Sequence, residues 1–200
     1  MIISTWNVNS IKVRIHAVIQ YLSKYHPDVL VLQETKCLDE NFPIDEISNA
    51  GYYSTFYGQK TYNGVAIISK KKPDSIEYNP VATLKNEARS LTVIIDGITI
   101  VNLYVVNGQD IDTDKYTYKL DWLKKLTSYA KKLLTKSDKV ILLGDFNIAP
   151  SDDDVFDIDT TKDQILCSPQ ERSALKKILK LGFHDCFIDF AFPSQTFTWW

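Results

Sequence analysis

The chain has 200 residues, 44% of them apolar and 24% charged, with 23 Lys and Arg against 25 Asp and Glu for a net charge of -2. That length suits one well-buried domain over residues 1–200 and is too short for two large ones, while the near-neutral balance argues mildly against a protein that coats nucleic acid by bulk charge. No stretch approaches the roughly 20 apolar residues of a membrane span and the amino terminus lacks a signal-peptide layout, so a soluble, cytoplasmic protein that keeps clear of membranes is expected.

In chain order, Met1–Trp6 reads as a strand, and Ile11, Ile15, Val18, Ile19 and Leu22 carry the spacing of an amphipathic helix. Val29–Leu32 and Gly64–Ser69 are β-branched, apolar runs, and Ser90–Val106 is a longer one broken by Asp96–Gly97, a hairpin turn signal. Asp110, Asp112 and Asp114 imitate the start of a calcium loop, but Lys115 stands where glycine is required and Asp121 where a bidentate glutamate is, so a flexible acidic loop is expected. Leu120, Leu123, Leu126, Ala130 and Leu133 predict a second helix, and Lys139–Leu143 a further strand. A third helix, over Leu175, Ile178 and Leu179, has Ser168 as cap, Pro169 at its first position, Glu171 closing a capping box and Gly182 as its stop. No internal repeat or linker interrupts the series, and hairpin signals mixed with helices predict sheets covered by helices in layers. Cys37, Cys167 and Cys186 are an odd number without a CxxC pair, and His16, His26 and His184 have no mutual spacing, so neither disulfides, zinc nor a triad is suggested.

Polar residues gather where strands end: Asn7 after the first, Glu34 after the second, Asn102 and Tyr104 within the hairpin, Asp145 and Asn147 after the last. Each has a plain reading alone. Asn7 could be a turn residue, Glu34 a surface ion-pair partner, and Gly144-Asp145-Phe146-Asn147 a simple turn. Together they are harder to dismiss, because carboxylates leaving buried strands are costly unless a cation or hydrogen-bond network receives them. Carboxylate and amide oxygens suit magnesium or manganese.

Five motifs then carry a resemblance: Trp6-Asn7-Val8-Asn9, Gln33-Glu34-Thr35-Lys36, Asn63-Gly64-Val65-Ala66, Asn102-Leu103-Tyr104 and Gly144-Asp145-Phe146-Asn147 stand in the order of the exonuclease III-like apurinic/apyrimidinic endonucleases. The wider endonuclease/exonuclease/phosphatase superfamily implies an α/β fold of two packed mixed β-sheets flanked by helices, a four-layer sandwich. By this resemblance Asn7, Glu34, Asp145 and Asn147 form the Mg2+ or Mn2+ site, with Glu34 a direct ligand. Asp145 activates the attacking water, Asn147 donates to the phosphate and Tyr104 stands by the phosphate or leaving group, making Tyr104, Asp145 and Asn147 the catalytic set. Lys12, Arg14, Arg89 and Asn107 are DNA contacts by similarity, and Trp200 is the wall of a pocket for a flipped-out sugar. The implied activity is metal-dependent DNA-repair phosphodiester cleavage, 5′ to abasic sites and at 3′ ends, on double-stranded DNA, by a protein that is monomeric when full length.

The chain departs from that family at its end: it stops at Trp199-Trp200, where the family continues into strands bearing an aspartate and a terminal Asp-His pair. A domain lacking its last strands is therefore expected. Smaller departures are Val106 where the family has proline and Ala88 where it has glycine. The alternatives are a catalytically silent DNA-binding fragment, or a phosphatase of the same superfamily.

Overall fold

A computed structural model describes residues 1–81, 84–188 and 196–197. The chain forms two compact units, one of Met1–Tyr104 with Leu134–Phe146 and one of Val105–Leu133 with the chain from Asn147 onward.

The first unit holds eight strands: β1 (Ile3–Asn7), β2 (Val29–Gln33), β3 (Tyr53–Tyr57), β4 (Val65–Ser69), β5 (Ser75–Tyr78), β6 (Ser90–Ile95), β7 (Ile98–Tyr104) and β8 (Val140–Asp145). They make two four-stranded sheets, ordered β1-β2-β4-β3 and β5-β6-β7-β8. Both sheets are mixed, with β1·β2 and β7·β8 parallel and the remaining pairs antiparallel. This is the α/β class expected of the sequence.

β2 and β4 are buried on both faces, which is why each is apolar up to its last residue, Gln33 or Ser69. Val29 and Val31 of β2 with Val65 and Ile67 of β4 meet Leu91, Val93, Ile95 and Ile100 of the second sheet. The alternate residues, Leu30, Leu32, Ala66 and Ile68, pack with Ile11, Ile15, Val18 and Leu22 of helix α1 (Ile11–Tyr25). Each fully buried Val, Leu or Ile among them contributes about 1.5–3 kcal/mol of transfer free energy. A short helix α2 (Ile44–Asn49) adds Ile47 to the same cluster. One polar link runs through the apolar interior. Asn102 of β7 is completely buried; its amide donates to the carbonyls of Leu32 and Ala66, both at 2.8 Å, and accepts from Gln33 Nε2 at 2.7 Å. It thereby fixes where the second sheet sits along the first.

The Asp96–Gly97 turn is present, with Ile95 opposite Ile98 and both turn residues at positive φ, 52° and 74°, as a type I′ hairpin requires. Two strands, β3 and β5, and helix α2 lie outside the expected elements. β3 and β5 are the edges of their sheets, and β5 is exposed at all four residues, so neither needs an apolar run.

The second unit contains α3 (Asp114–Leu134, whose last residue belongs to the first unit), the single turn α4 (Ile158–Thr161) and α5 (Pro169–Leu179). α3 starts six residues before the first apolar position expected for it, so Asp114 is not a loop residue. It sits in the first turn, where a carboxylate complements the helix dipole, and Thr113 Oγ1 accepts from Tyr116 N. The buried face is Tyr116, Lys119, Trp122, Leu123, Leu126, Tyr129, Ala130 and Leu133; Leu120 is half-buried and its neighbour Lys119 is inside. α5 has the anticipated cap: Glu171 N donates to Ser168 Oγ, the Glu171 carboxylate accepts from Ser168 N, and Pro169 opens the helix. The turn after it reaches Gly182 at φ 114°.

Among the described residues no helix is long and apolar enough to cross a membrane. Cys37 and Cys167 are buried free thiols and Cys186 an exposed one. Trp200, and most of the aromatic segment before it, lies outside the described residues.

Candidate active site

Parallel pairing places polar residues at matching strand ends. Asn7 closes β1 opposite Gln33, the last residue of β2, and Tyr104 closes β7 opposite Asp145, the last residue of β8. Beyond these ends the backbone keeps pairing: Val8 N donates to Gln33 O, Ser10 N to Glu34 O, Thr35 N to Gly64 O and Lys36 N to Asn63 O. The loops are held in sparsely populated conformations, with Asn9, Ser10, Glu34, Lys36 and Asn63 all at positive φ, from 43° to 91°. For residues with a Cβ such backbones cost of order 1–3 kcal/mol each and persist where their surroundings impose them.

The centre of the rim is Asn7. Its Nδ2 donates to Glu34 Oε1 at 2.8 Å and, 138 residues along the chain from Asn7, to Asp145 Oδ2 at 2.7 Å, so one amide draws two sequence-distant carboxylates together. Asn7 Oδ1 accepts from Asn9 N at 3.1 Å. The amide therefore orients both acids. Lys36 pairs with Glu34 Oε2 at 2.7 Å and also donates to Asn9 Oδ1. Burial pushes the Glu34 carboxyl up, but hydrogen bonds from Asn7, Lys36 and the Tyr104 phenol outweigh it and hold the group below its ordinary value. The same environment raises Tyr104: burial first, then the Glu34 charge, keep its phenol protonated as a donor.

Arg89 is committed to Tyr104. Its guanidinium lies 4.8 Å from the ring centroid, donates to the Tyr104 carbonyl at 3.4 Å and pairs with Glu87 at 2.5 Å. Its side chain is 11% exposed, so the structure presents it as a brace for Tyr104, where the sequence offered it to DNA. Lys12 is exposed on the first turn of α1, and Arg14, two residues on, is half-buried.

In the second unit Asn147 adopts φ 48°; its Nδ2 donates to Val105 O at 3.0 Å, and its Oδ1 accepts from Nδ2 of the exposed Asn107 at 3.2 Å. Gly144, two residues before, bends β8 with φ 136°, and a methyl there would overlap the Leu103 carbonyl of the neighbouring strand. Only glycine lets β8 run that close to β7 just before Asp145.

No three or more His, Cys, Asp or Glu gather into a cage among the described residues. The rim offers two carboxylates brought to one point by Asn7, oxygen donors of the hard type that magnesium or manganese accepts together with water and substrate oxygens. That donor set fits such a cation.

A model of the endonuclease/exonuclease/phosphatase family matches residues 4–200. The chain belongs to that family. Within it the likeness is to the exonuclease III-like branch. The chain is 31% identical over 196 residues to the exodeoxyribonuclease III of Haemophilus influenzae, covering 92% of this chain and 73% of that one. It is 31% identical over 206 residues to a DNA-(apurinic or apyrimidinic site) endonuclease of Dictyostelium discoideum, of which it spans 56%. Among solved structures, a 3′-5′ exonuclease from Neisseria meningitidis superposes with a TM-score of 0.93 at 38% identity, over 96% of this chain and 75% of that one. An AP endonuclease from Archaeoglobus fulgidus does so with 0.89 at 39%, over 95% and 74%.

The family assignment agrees with the sequence reading, in which Lys36, Gln33, Asn102 and Lys119 have no assigned part in the site. Lys36 was quoted in a motif without a role, and Gln33 with Asn102 form an interior link that no periodicity announces. Lys119 did leave a signal, as a lysine between Tyr116 and Leu123 on an apolar stripe.

Proposed function

We propose that this family member is a DNA-repair nuclease that hydrolyses the phosphodiester 5′ to an abasic site and trims 3′ ends, using magnesium or manganese. The observation that carries the reading is the double hydrogen bond from Asn7 to Glu34 and Asp145, because it holds two acids of different surroundings at one point. Glu34, ionised and held by three donors, is the carboxylate to ligate the cation, with Asp145 beside it. The bound cation would supply charge to the phosphate oxygens and the departing 3′-oxygen.

The chain's own residues do the rest. Asp145, aligned by Asn7, accepts the proton of the attacking water and directs its lone pair at phosphorus. Tyr104, kept neutral by burial and the Glu34 charge and braced by Arg89, donates without adding negative charge that would repel phosphate. Asn147 is a second neutral donor to the developing oxyanion, and Asn107, Lys12 and Arg14 are contacts for the strand backbone. The relatives support the substrate: they include exodeoxyribonucleases and an endonuclease of apurinic or apyrimidinic sites, and a structurally similar 3′ phosphatase from Neisseria is bound to a product DNA hairpin.

The test is a labelled duplex with one abasic analogue, incubated with magnesium, with manganese and with excess EDTA. Cleavage on the 5′ side with either metal, abolished by EDTA and by Asp145→Asn, is the expected result. Release of phosphate from a soluble phosphomonoester with no cut in the duplex would move the protein to the phosphatases of its family.

A further inference from the structure

The second unit buries a charge pair that the proposed chemistry does not use. Lys119 of α3 and Glu171 of α5 are both wholly inaccessible and form an ion pair. The carboxylate is also saturated by other donors: Glu171 Oε1 accepts from Leu166 N at 3.1 Å, and Oε2 from Ser168 N and Ser168 Oγ at 3.0 and 2.6 Å. The ammonium has three N–H groups, and its other two acceptors are backbone carbonyls, Asn147 O at 2.6 Å and Asn107 O at 2.9 Å.

Stability alone is a poor reason for such a pair. Replacing a buried ion pair by apolar side chains of similar size is commonly neutral or stabilising, whereas an apolar side chain could not hold two carbonyls. Those two carbonyls belong to the residues assigned above to phosphate and DNA. Asn147 needs holding, since it sits at φ 48° without being glycine. The approach is also tailored: Gly108, at φ 96°, lies where a methyl would press on Ile165 and on the Lys119 stem. α3 thus spends a core position on a lysine, and α5 an N-terminal glutamate, at the one place where the chain leads away from Asn147.

We infer that Lys119, charge-balanced by Glu171, is a positioning residue that aims the Asn147 side chain by fixing its backbone carbonyl. This rests on Asn147 acting at the phosphate. Lys119 touches no reacting atom; its contribution passes through Asn147.

The experiment is a double-mutant cycle on abasic-duplex cleavage by the full chain, with urea midpoints measured alongside. Glu171→Gln alone keeps the ammonium's two carbonyl bonds and a residue that suits a capping box but removes the counter-charge, so the urea midpoint falls while kcat in the absence of urea stays within about threefold. The neutral pair Lys119→Met with Glu171→Gln removes both charges but leaves the Asn107 and Asn147 carbonyls without their donor, so its urea midpoint falls while the chain stays folded in the absence of urea, where kcat is measured. Its kcat falls by about 10- to 100-fold, the scale of a displaced catalytic group. Placed on an Asn147→Ala background, the same pair costs kcat nothing further, because the amide it aims is gone; a merely structural role would add its loss there too. A neutral pair with full kcat, or a loss that persists undiminished on the Asn147→Ala background, overturns the inference while leaving the site intact. A harmless Asn147→Ala brings down the role of Asn147 and the inference with it.

Discussion

Substituting Asn102 by leucine would test how the two sheets are locked. The side chains are close in size, so the change leaves little cavity and isolates the polar loss. Leu32 O and Ala66 O lose their amide donor, and Gln33 Nε2 loses Asn102 Oδ1 while keeping Thr5 Oγ1 at 3.1 Å. An orphaned buried group costs about 1–3 kcal/mol, so two carbonyls and a half-satisfied amide amount to about 3–6 kcal/mol. Against a typical total of about 5–15 kcal/mol this is a large fraction. Ile100→Val, two residues earlier on the same strand and also fully buried, removes one methylene and is the control at about 1 kcal/mol. Urea unfolding followed by tryptophan fluorescence gives both values. If Asn102→Leu costs no more than Ile100→Val at an unchanged denaturant slope, the amide is not what registers one sheet on the other.

Gly144→Ala should destabilise by roughly 2 kcal/mol or more, since both the positive φ and the Leu103 carbonyl oppose a methyl; because the strain falls beside Asp145, cleavage should drop further than the thermal midpoint predicts, and a variant with parental activity would contradict this. Glu34 has a folded value below its unfolded one, so its stabilisation is present above the ordinary carboxylate range and is lost as pH falls through the lowered value. The stability gap between the parent and Glu34→Gln should therefore shrink as urea midpoints are taken from pH 7 to about pH 3, and a gap that widens on acidification would reverse the assigned sign.

How much was legible in the sequence follows from what each element requires. β2 and β4 are buried on both faces, so their apolar runs announced them, and the Asp96–Gly97 turn was written in residues that tolerate positive φ. β3 and β5 hold their places as sheet edges by backbone pairing, which leaves little mark on side chains; Ser75–Tyr78 carries no apolar run because all four residues are exposed. The start of α3 was obscured because its first buried positions are a tyrosine, which carries a hydroxyl, and a lysine, which breaks the apolar spacing. At the site, motif order named Asn7, Glu34, Tyr104 and Asp145. The partners that aim them, Lys36 on Glu34 and Arg89 on Tyr104, come from folding and could not be read from spacing.

The left-handed residues of the rim set the molecule against itself. At Glu34 and Lys36 glycine would relax the backbone, yet these are the positions whose side chains build the acidic centre and its counter-charge. Improving this protein for heat tolerance by survival of folding alone would favour removing those side chains, so a screen on melting temperature would enrich well-folded descendants with an emptied centre, and selection for cutting must accompany it.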